Sequence, residues 1–321
     1  MVAANAPTVW IPVYKTKLDL PELLSLWQTA TMLRSRYDVT IAGKNSHRIF
    51  LYSLAETLGV SVRLMPDSVF RSVNSYCNLL LSPRFYQSFA GSHVLVAQLD
   101  AWVVLNCFDS FLQYDYAALR FYARPLESSF ARARCIGVGV GGLSLRRCKA
   151  HVAALKQGLS GYQRHFSKVQ LRKFSLSGVV RMRWRALRAQ VANRWSPYRS
   201  EGAGLTALGC NEDWILGIYC HGRMRVAPRQ QALAFGIDGY FADQLDELSP
   251  DLPFGLHGWY RDLASLLACR PLLAATLCAG WAEFLGLHGF AFPGDDIDSL
   301  FETLAESLRP LKPSLSLGVR A

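Results

Sequence analysis

The sequence predicts an α/β protein in which a mostly parallel central sheet is flanked by helices, as a single domain carrying a basic helical insertion. Three observations predict it. Strand-like and helix-like segments alternate through the first half of the chain, the pattern that βαβ units need. The apolar run Val94-Leu95-Val96-Ala97 is soon closed by a lone carboxylate, Asp100, where a buried strand would emerge and where open α/β sheets bind their ligands. The 321 residues are 51% hydrophobic, enough to bury a sizeable core and far from the composition of a disordered chain.

The elements follow in order. Residues 9–13 read as the first strand, ending on Tyr14 and Lys15, and residues 20–36 as a helix with an apolar stripe. A second strand is expected at 39–42, a helix at 48–58 and a third strand at 60–64. A helix over 71–81 is followed by Ser82-Pro83, which restarts another through residue 89, and 94–99 is the strand that delivers Asp100. Short strands separated by helices imply parallel pairing, because a parallel crossover needs a dozen or more residues. The apolar segment 272–292 is interrupted by Glu283 and His288 and reads as a packed helix and loop rather than a membrane span.

Charge is unevenly distributed. The chain carries a formal charge of +11, which favours an anionic partner. Between residues 146 and 199 there are fourteen lysines and arginines and no acidic residue, with Trp184 and Trp195 among them. Such a stretch suits peripheral contact with an anionic membrane, contact with a phosphate backbone, or simply a solvated helix face. None of the nucleic-acid recognition motifs is present, so no nucleic-acid partner is expected. The eight cysteines include no CxxC pair and read as thiols in a reducing compartment. With a strand reached within a few residues of Met1 and no basic segment leading into a long apolar one, a cytoplasmic location is expected, with the inner membrane face as a further contact.

Five places could carry chemistry. Asp100 is placed to meet a ribose, a metal or a phosphate-bound cation, or else to cap the next turn. The run Gly137-Val138-Gly139-Val140-Gly141-Gly142-Leu143-Ser144 lets a backbone approach a ligand closely, or makes a glycine-rich turn before a helix. It lacks the acidic partner of a dinucleotide fingerprint and the ending of a phosphate loop. Glu212 and Asp213 follow a long acid-free stretch. One of them is suited to deprotonate a hydroxyl while the other supports it, and both, with Asn211, also suit the first turn of a helix. His257, between small residues in an aromatic loop, suits a metal ligand, a donor to phosphate, or a structural role. Tyr14 is placed to lie against a base and Lys15 near phosphates.

Taken in order, these segments resemble the DUF5672 family, proteins placed among the glycosyltransferases. The resemblance runs over about residues 8–262, through Ile11-Pro12-Val13-Tyr14-Lys15, Tyr76-Cys77-Asn78-Leu79-Leu80-Leu81-Ser82-Pro83-Arg84-Phe85-Tyr86, Gln98-Leu99-Asp100-Ala101-Trp102 and Tyr114-Asp115-Tyr116. It continues through Gly141-Gly142-Leu143-Ser144-Leu145-Arg146, Asn211-Glu212-Asp213 and Leu252-Pro253-Phe254-Gly255-Leu256-His257-Gly258-Trp259. It implies a GT-A-like, Rossmann-type transferase domain over 1–262, with 146–205 as the basic insertion and 263–321 as a helical extension packed on it.

What the resemblance implies for function is transfer of a sugar, with inversion, from a nucleotide-diphosphate sugar to a hydroxyl of a polysaccharide or glycolipid acceptor, with a uridine diphosphate sugar as donor. Asp100 then matches the last acid of a DxD motif, with Gln98 standing where the first acid would be, and His257 resembles the late histidine that completes a metal site. A divalent cation, Mn²⁺ or Mg²⁺, would neutralise the leaving diphosphate, and arginines or lysines could do the same without it. Asp213 is assigned as the base and Glu212 as the residue orienting the acceptor. Pro12, Tyr14, Lys15, Asn78, Gln98, Asp100, Gly141 and Gly142 are assigned to the donor pocket. A module that binds nucleotide sugars or glycans without turning them over is the alternative.

Overall fold

The computed structural model describes residues 6–123, 134–159, 176–219, 222–238, 252–261 and 271–287. Of the expected insertion and C-terminal extension, residues 160–175, 263–270 and 288–321 lie outside these. Four strands, β1 (Thr8–Val13), β2 (Asp38–Lys44), β3 (Ser61–Met65) and β4 (His93–Ala97), pair in parallel, with β1 between β2 and β4. Between them lie α1 (Leu20–Leu33), α2 (Arg48–Leu58), α3 (Val73–Leu80) and α4 (Pro83–Gln87). These match the expected elements, the helices at 20–36 and 71–81 ending or starting up to three residues inside their expected bounds. Two further strands, β6 (Tyr116–Ala123) and the long β7 (Arg134–Arg147), complete the sheet in the order β3-β2-β1-β4-β7-β6, and β7 runs antiparallel to both its neighbours.

Each strand feeds both faces, as the period of two requires. Val9, Ile11 and Val13 of β1 join Leu95 and Ala97 of β4 and Leu143 and Leu145 of β7 in one core, under α1 and α2. Trp10, Val94 and Val96 point the other way, to Tyr86, Phe85 and Leu80 of α3 and α4. Pro12, which brings no N–H, sits beyond Trp10, where the pairing of β1 with β4 has already stopped. The helix ends follow from local chemistry. Glu22 reaches back to accept from the Asp19 backbone N–H at 2.9 Å, with Pro21 in the first turn of α1, and α2 stops at Gly59, whose φ of 63° is left-handed.

The glycine-rich run is a strand, not a turn. Its residues lie in β7, which leads straight into α5 (Cys148–Lys156). Val138 and Val140 pair with β6 and Leu143 and Leu145 with β4, all four are buried, and this pairing outweighs the weak strand preference of glycine. The irregularity is taken up locally as a bulge: Ala118 faces Ser144 while Leu119 already faces Val140, so Gly141, Gly142 and Leu143 are extra residues against β6.

A second, three-stranded sheet stands at the carboxyl end of β4. It orders β5 (Ala101–Val103), β9 (Gly255–His257) and β8 (Gly236–Asp238), with β9 in the middle. The expected basic helix is present as α6 (Leu176–Asn193), followed by α7 (Ala203–Thr206), α8 (Glu212–Trp214) and α9 (Arg229–Phe235). The expected helix in 272–292 is α10 (Pro271–Leu287), and no helix among the described residues is long and apolar enough to cross a membrane. Trp281 of α10 packs against Trp102 and Trp259, and Phe284 against Trp27 of α1. Trp281→Ala should therefore lower the stability to urea by about 3–5 kcal/mol, the usual cost of emptying a buried Trp site. A loss below about 1 kcal/mol would mean that α10 is not docked on this core.

Candidate active site

The small sheet fixes the first charged cluster by register. In β9 His257 faces Ala101 of β5 on one side and Asp238 of β8 on the other, and Asp100 immediately precedes β5. His257 Nε2 lies 3.3 Å from Asp100 Oδ1, its Nδ1 lies 3.7 Å from Asp238 Oδ1, and the Gly258 N–H donates to the Asp100 carbonyl at 2.8 Å. A strand follows Asp100, so its carboxylate caps no helix; it pairs instead with His257 and with Arg261, whose Nη2 lies 2.8 Å from Oδ2. Burial alone would raise the Asp100 pKa, but His257 and Arg261 hold it at about 2. Burial likewise opposes the charge on His257, and Asp100 and Asp238 push its pKa up to about 10.

The second cluster belongs to α8. Glu212 and Asp213 open its single turn, as their helix-start reading expects, although Asn211 makes no side-chain cap. Glu212 is buried, and its carboxylate oxygens meet Arg146 Nη2 at 3.4 Å and the Cys77 thiol at 3.0 Å. Asp213 is partly exposed, and its Oδ1 accepts from the Trp214 N–H at 2.7 Å. Burial and then the neighbouring charge of Glu212 raise its pKa to about 7, with the amides of Trp214 and Gly141 pulling the other way. Beside it Trp214 stacks on Phe121, centroids 4.9 Å apart.

The glycine pair in the β7 bulge lies between the clusters. A Cβ on Gly141 would stand 2.8 Å from Glu212 Oε1 and 3.0 Å from Asp213 Cβ, and one on Gly142 would overlap the His257 ring. Gln98 links the two sides: its backbone N–H donates to the Gly142 carbonyl at 2.8 Å and its side chain to the Tyr76 hydroxyl at 3.3 Å, while Tyr76 feels the charge of Glu212.

Other expected residues fall out differently. Tyr14 stands near Asp100 and Glu22, and burial with those charges pushes its pKa up to about 12. Lys15 is not left open for phosphate: Glu22 and Asp19 hold its ammonium at 2.7 and 3.2 Å. Asn78 accepts from Thr206 at 2.8 Å and fastens α3 to α7, and Pro12 is buried within β1. The sequence reading missed Arg261 and Asp238, since neither lies in a motif. The signal for Arg261 was its place one turn after Gly258, whose φ of 61° bends the chain so that the Arg261 N–H reaches the Gly258 carbonyl.

Asp100 and His257 do converge, as the metal reading requires, but among the described residues no third His, Cys, Asp or Glu joins them to hold an ion. Two donors with Arg261 already on one Asp100 oxygen are too few for a resident ion. An ion that brings further ligands on substrate phosphates, the usual habit of Mg²⁺, would have to displace the proton that Asp100 and Asp238 hold on His257.

A family model described as a protein of unknown function, DUF5672, matches residues 59–257. No curated protein is similar in sequence to the chain. Among solved structures the chain is similar to the glycosyltransferase GlyE of Streptococcus pneumoniae TIGR4, with 10% identity over 91% of this chain and 66% of that one at a TM-score of 0.41. For the apo form of GlyE the values are 10% identity, 79% and 54%, and 0.36. For the PaToxG glycosyltransferase they are 11%, 64% and 69%, and 0.30. The chain thus spans between half and two thirds of the length of the GlyE structures.

Gly142→Ala should drive His257 off Asp100, so that the imidazole titrates close to its ordinary value near 6.5 rather than at about 10 when followed by NMR. Gly137→Ala, whose added methyl meets nothing within 4 Å, is the control and should leave the titration unchanged. An unaltered His257 titration in Gly142→Ala would show that the glycine does not set the cluster.

Proposed function

This chain belongs to the DUF5672 family, and we propose that it is an inverting glycosyltransferase that moves a sugar from a nucleoside diphosphate to a hydroxyl of a glycan or glycolipid. The observation that carries this reading is the pair of clusters flanking Gly141 and Gly142: a base-like carboxylate on one side, and a fixed cationic group around Asp100 on the other. Both positions must be glycine for the clusters to close in on β7, since a Cβ at either would collide with Glu212 or His257. The mechanism divides between the two.

Asp213 acts as the general base. A carboxylate whose pKa is near 7 is ionised in useful amount at neutral pH and is a stronger proton acceptor than an ordinary Asp. It takes the proton from the acceptor hydroxyl as that oxygen attacks the anomeric carbon from the face opposite the departing diphosphate, which inverts the centre. Glu212, expected to orient the acceptor, is instead buried against Arg146 and Cys77, and its charge raises the basicity of Asp213. Arg261 and His257 meet the negative charge that grows on the leaving diphosphate, and Asp100 holds both in place. A divalent cation would be held by Asp100 and by His257 only once His257 has given up its proton, and it would then supply Lewis-acid neutralisation of that charge in place of the imidazolium. The aromatic face of Tyr14 is suited to the base of the nucleotide.

Removing the base tests the first of these roles. Asp213→Asn should cost about 10²–10⁴ in transfer rate while leaving donor affinity within about threefold. The wild-type rate should rise with pH through about 7, and Glu212→Gln should move that midpoint lower. The raised pKa also has a stability sign: the folded state binds the Asp213 proton more tightly than the unfolded chain, so stability falls as pH rises from about 4 to about 7. Asp213→Asn should therefore raise Tm above pH 7, by about 2–4 °C for each kcal/mol recovered, and much less at pH 4.5. An Asn variant that is active, or that gains nothing at high pH, contradicts the assignment.

Thermal stability tests the donor site. A nucleoside diphosphate should raise Tm, Mn²⁺ or Mg²⁺ alone should not, and the two together should exceed the nucleotide alone. Asp100→Ala should remove the cation's increment and weaken donor binding itself. Stabilisation by the nucleotide with no increment from either metal would assign the diphosphate to Arg261 and His257 alone. Stabilisation without turnover or donor hydrolysis would turn the reading to a binding module.

A further inference from the structure

Helix α6 carries an apolar stripe on the wrong side for a core. Val180, Trp184, Leu187 and Val191 recur at spacings of four, three and four and fall within about 60° of arc at 3.6 residues per turn. They are 62%, 60%, 50% and 49% exposed, and Trp195, just past the helix end, is 87% exposed. Single exposed apolar residues need no explanation, but four aligned along one helix, with Trp195 beyond its end, do. The helix is held from its other side: Met182, Ala186, Ala189 and Asn193 are partly covered, α6 lies against α7, and Asn193 exchanges two hydrogen bonds with Ser200, at 2.7 and 2.9 Å.

The charges around the stripe say what covers it. Arg183 projects on one flank, Arg181 and Arg188 on the other, and all three are exposed. Arg194 follows at the end of the helix, beside Trp195. No acidic residue occurs from 146 to 199, so nothing nearby in sequence neutralises them. An apolar stripe bordered on both sides by guanidinium groups and bearing tryptophans matches a surface that is apolar below and anionic above.

We propose that α6 lies in the plane of a membrane rich in anionic lipid, with Val180, Trp184, Leu187 and Val191 inserted at the acyl boundary and the arginines on lipid phosphates. The side chains need not move to do this, because the stripe already faces solvent. Each arginine near such a surface adds attraction that falls off within a Debye length, about 8 Å at physiological salt, while the stripe adds a salt-insensitive part. The inference rests on α6 and not on the reaction proposed above.

Flotation of the full chain with vesicles tests it. At about 0.15 M salt the chain should bind vesicles of phosphatidylcholine with about 30% phosphatidylglycerol at least about tenfold more tightly than phosphatidylcholine alone. Trp184→Ser with Leu187→Ser should weaken that binding at least about tenfold with an unchanged circular dichroism spectrum, since both side chains stand in solvent. Arg183→Gln with Arg188→Gln should weaken it too and flatten its salt dependence. Equal binding by the serine variant, or no preference for anionic vesicles, overturns the proposal. So does tight binding of duplex RNA that survives the serine changes while vesicles are ignored, which would assign the helix to a phosphate backbone.

Discussion

The interaction on which the second cluster depends is the burial of a whole guanidinium. Arg146 is fully buried at the end of β7, and its donors are divided among three elements: Nε to Ser144 Oγ at 2.9 Å, Nη1 to the Tyr86 hydroxyl at 3.2 Å, and Nη2 to Glu212 Oε1 at 3.4 Å with the Gly141 carbonyl beside it. Its face lies 5.9 Å from the centre of the Tyr116 ring. An ion taken out of water is tolerated only when partners are this complete, and removing one of them leaves an uncompensated charge. The network is thus less a source of stability than a constraint. It tells α8 where to stand against β7, fixes the Glu212 carboxylate, and through it sets the charge that Asp213 feels.

The surroundings of Arg146 keep that constraint independent of pH. His151, packed against Tyr86 with ring centres 4.7 Å apart, is fully buried, and burial together with the nearby arginine pushes its pKa down to about 3. It is neutral at neutral pH and adds no competing charge there. Cys77, which donates to Glu212, is pushed the other way, up out of the range in which a thiolate forms. Asp213, at the open edge, is the member of this group left to titrate near neutrality. A base beside an inert scaffold is what proton transfer in a fixed geometry calls for.

How much of this was legible in the sequence depended on the range of the interactions. The four parallel strands and their helices announce themselves locally, through apolar runs and through Ser82-Pro83 at a helix start. The position of Asp100 beyond β4 was legible for the same reason, and so were Glu212 and Asp213 as carboxylates after a long acid-free stretch. What could not be read was pairing. The glycine run carries too little side chain to declare itself a strand, and only the pairing of β7 with β6 along the run and with β4 beyond it makes it one. Asp238 and Arg261 join Asp100 across 138 and 161 positions of chain through the register of a small sheet and one left-handed glycine, and neither residue differs in type from many others on the surface. Lys15, read toward phosphates, pairs in the structure with Asp19, four residues on, and with Glu22, a partnership the sequence offered equally.

The +11 charge also divides once positions are known. Arg146 and Arg261 are each committed to a carboxylate, and Lys15 to two. Their charge acts inside, fixing the geometry around the glycine pair, and little of it projects as field. Arg181, Arg183 and Arg188 instead stand exposed beside apolar side chains, where a cation gains most from an anionic surface and least from solvent alone. A sum over the sequence merges the two populations and points vaguely at any anion. Separated, they do different things: one set fixes carboxylates beside Gly141 and Gly142, and the other borders the apolar stripe of α6. Under the function and the membrane contact proposed above, the donor would meet one set and the surface bearing the acceptor the other, so neither would compete for the other's charge.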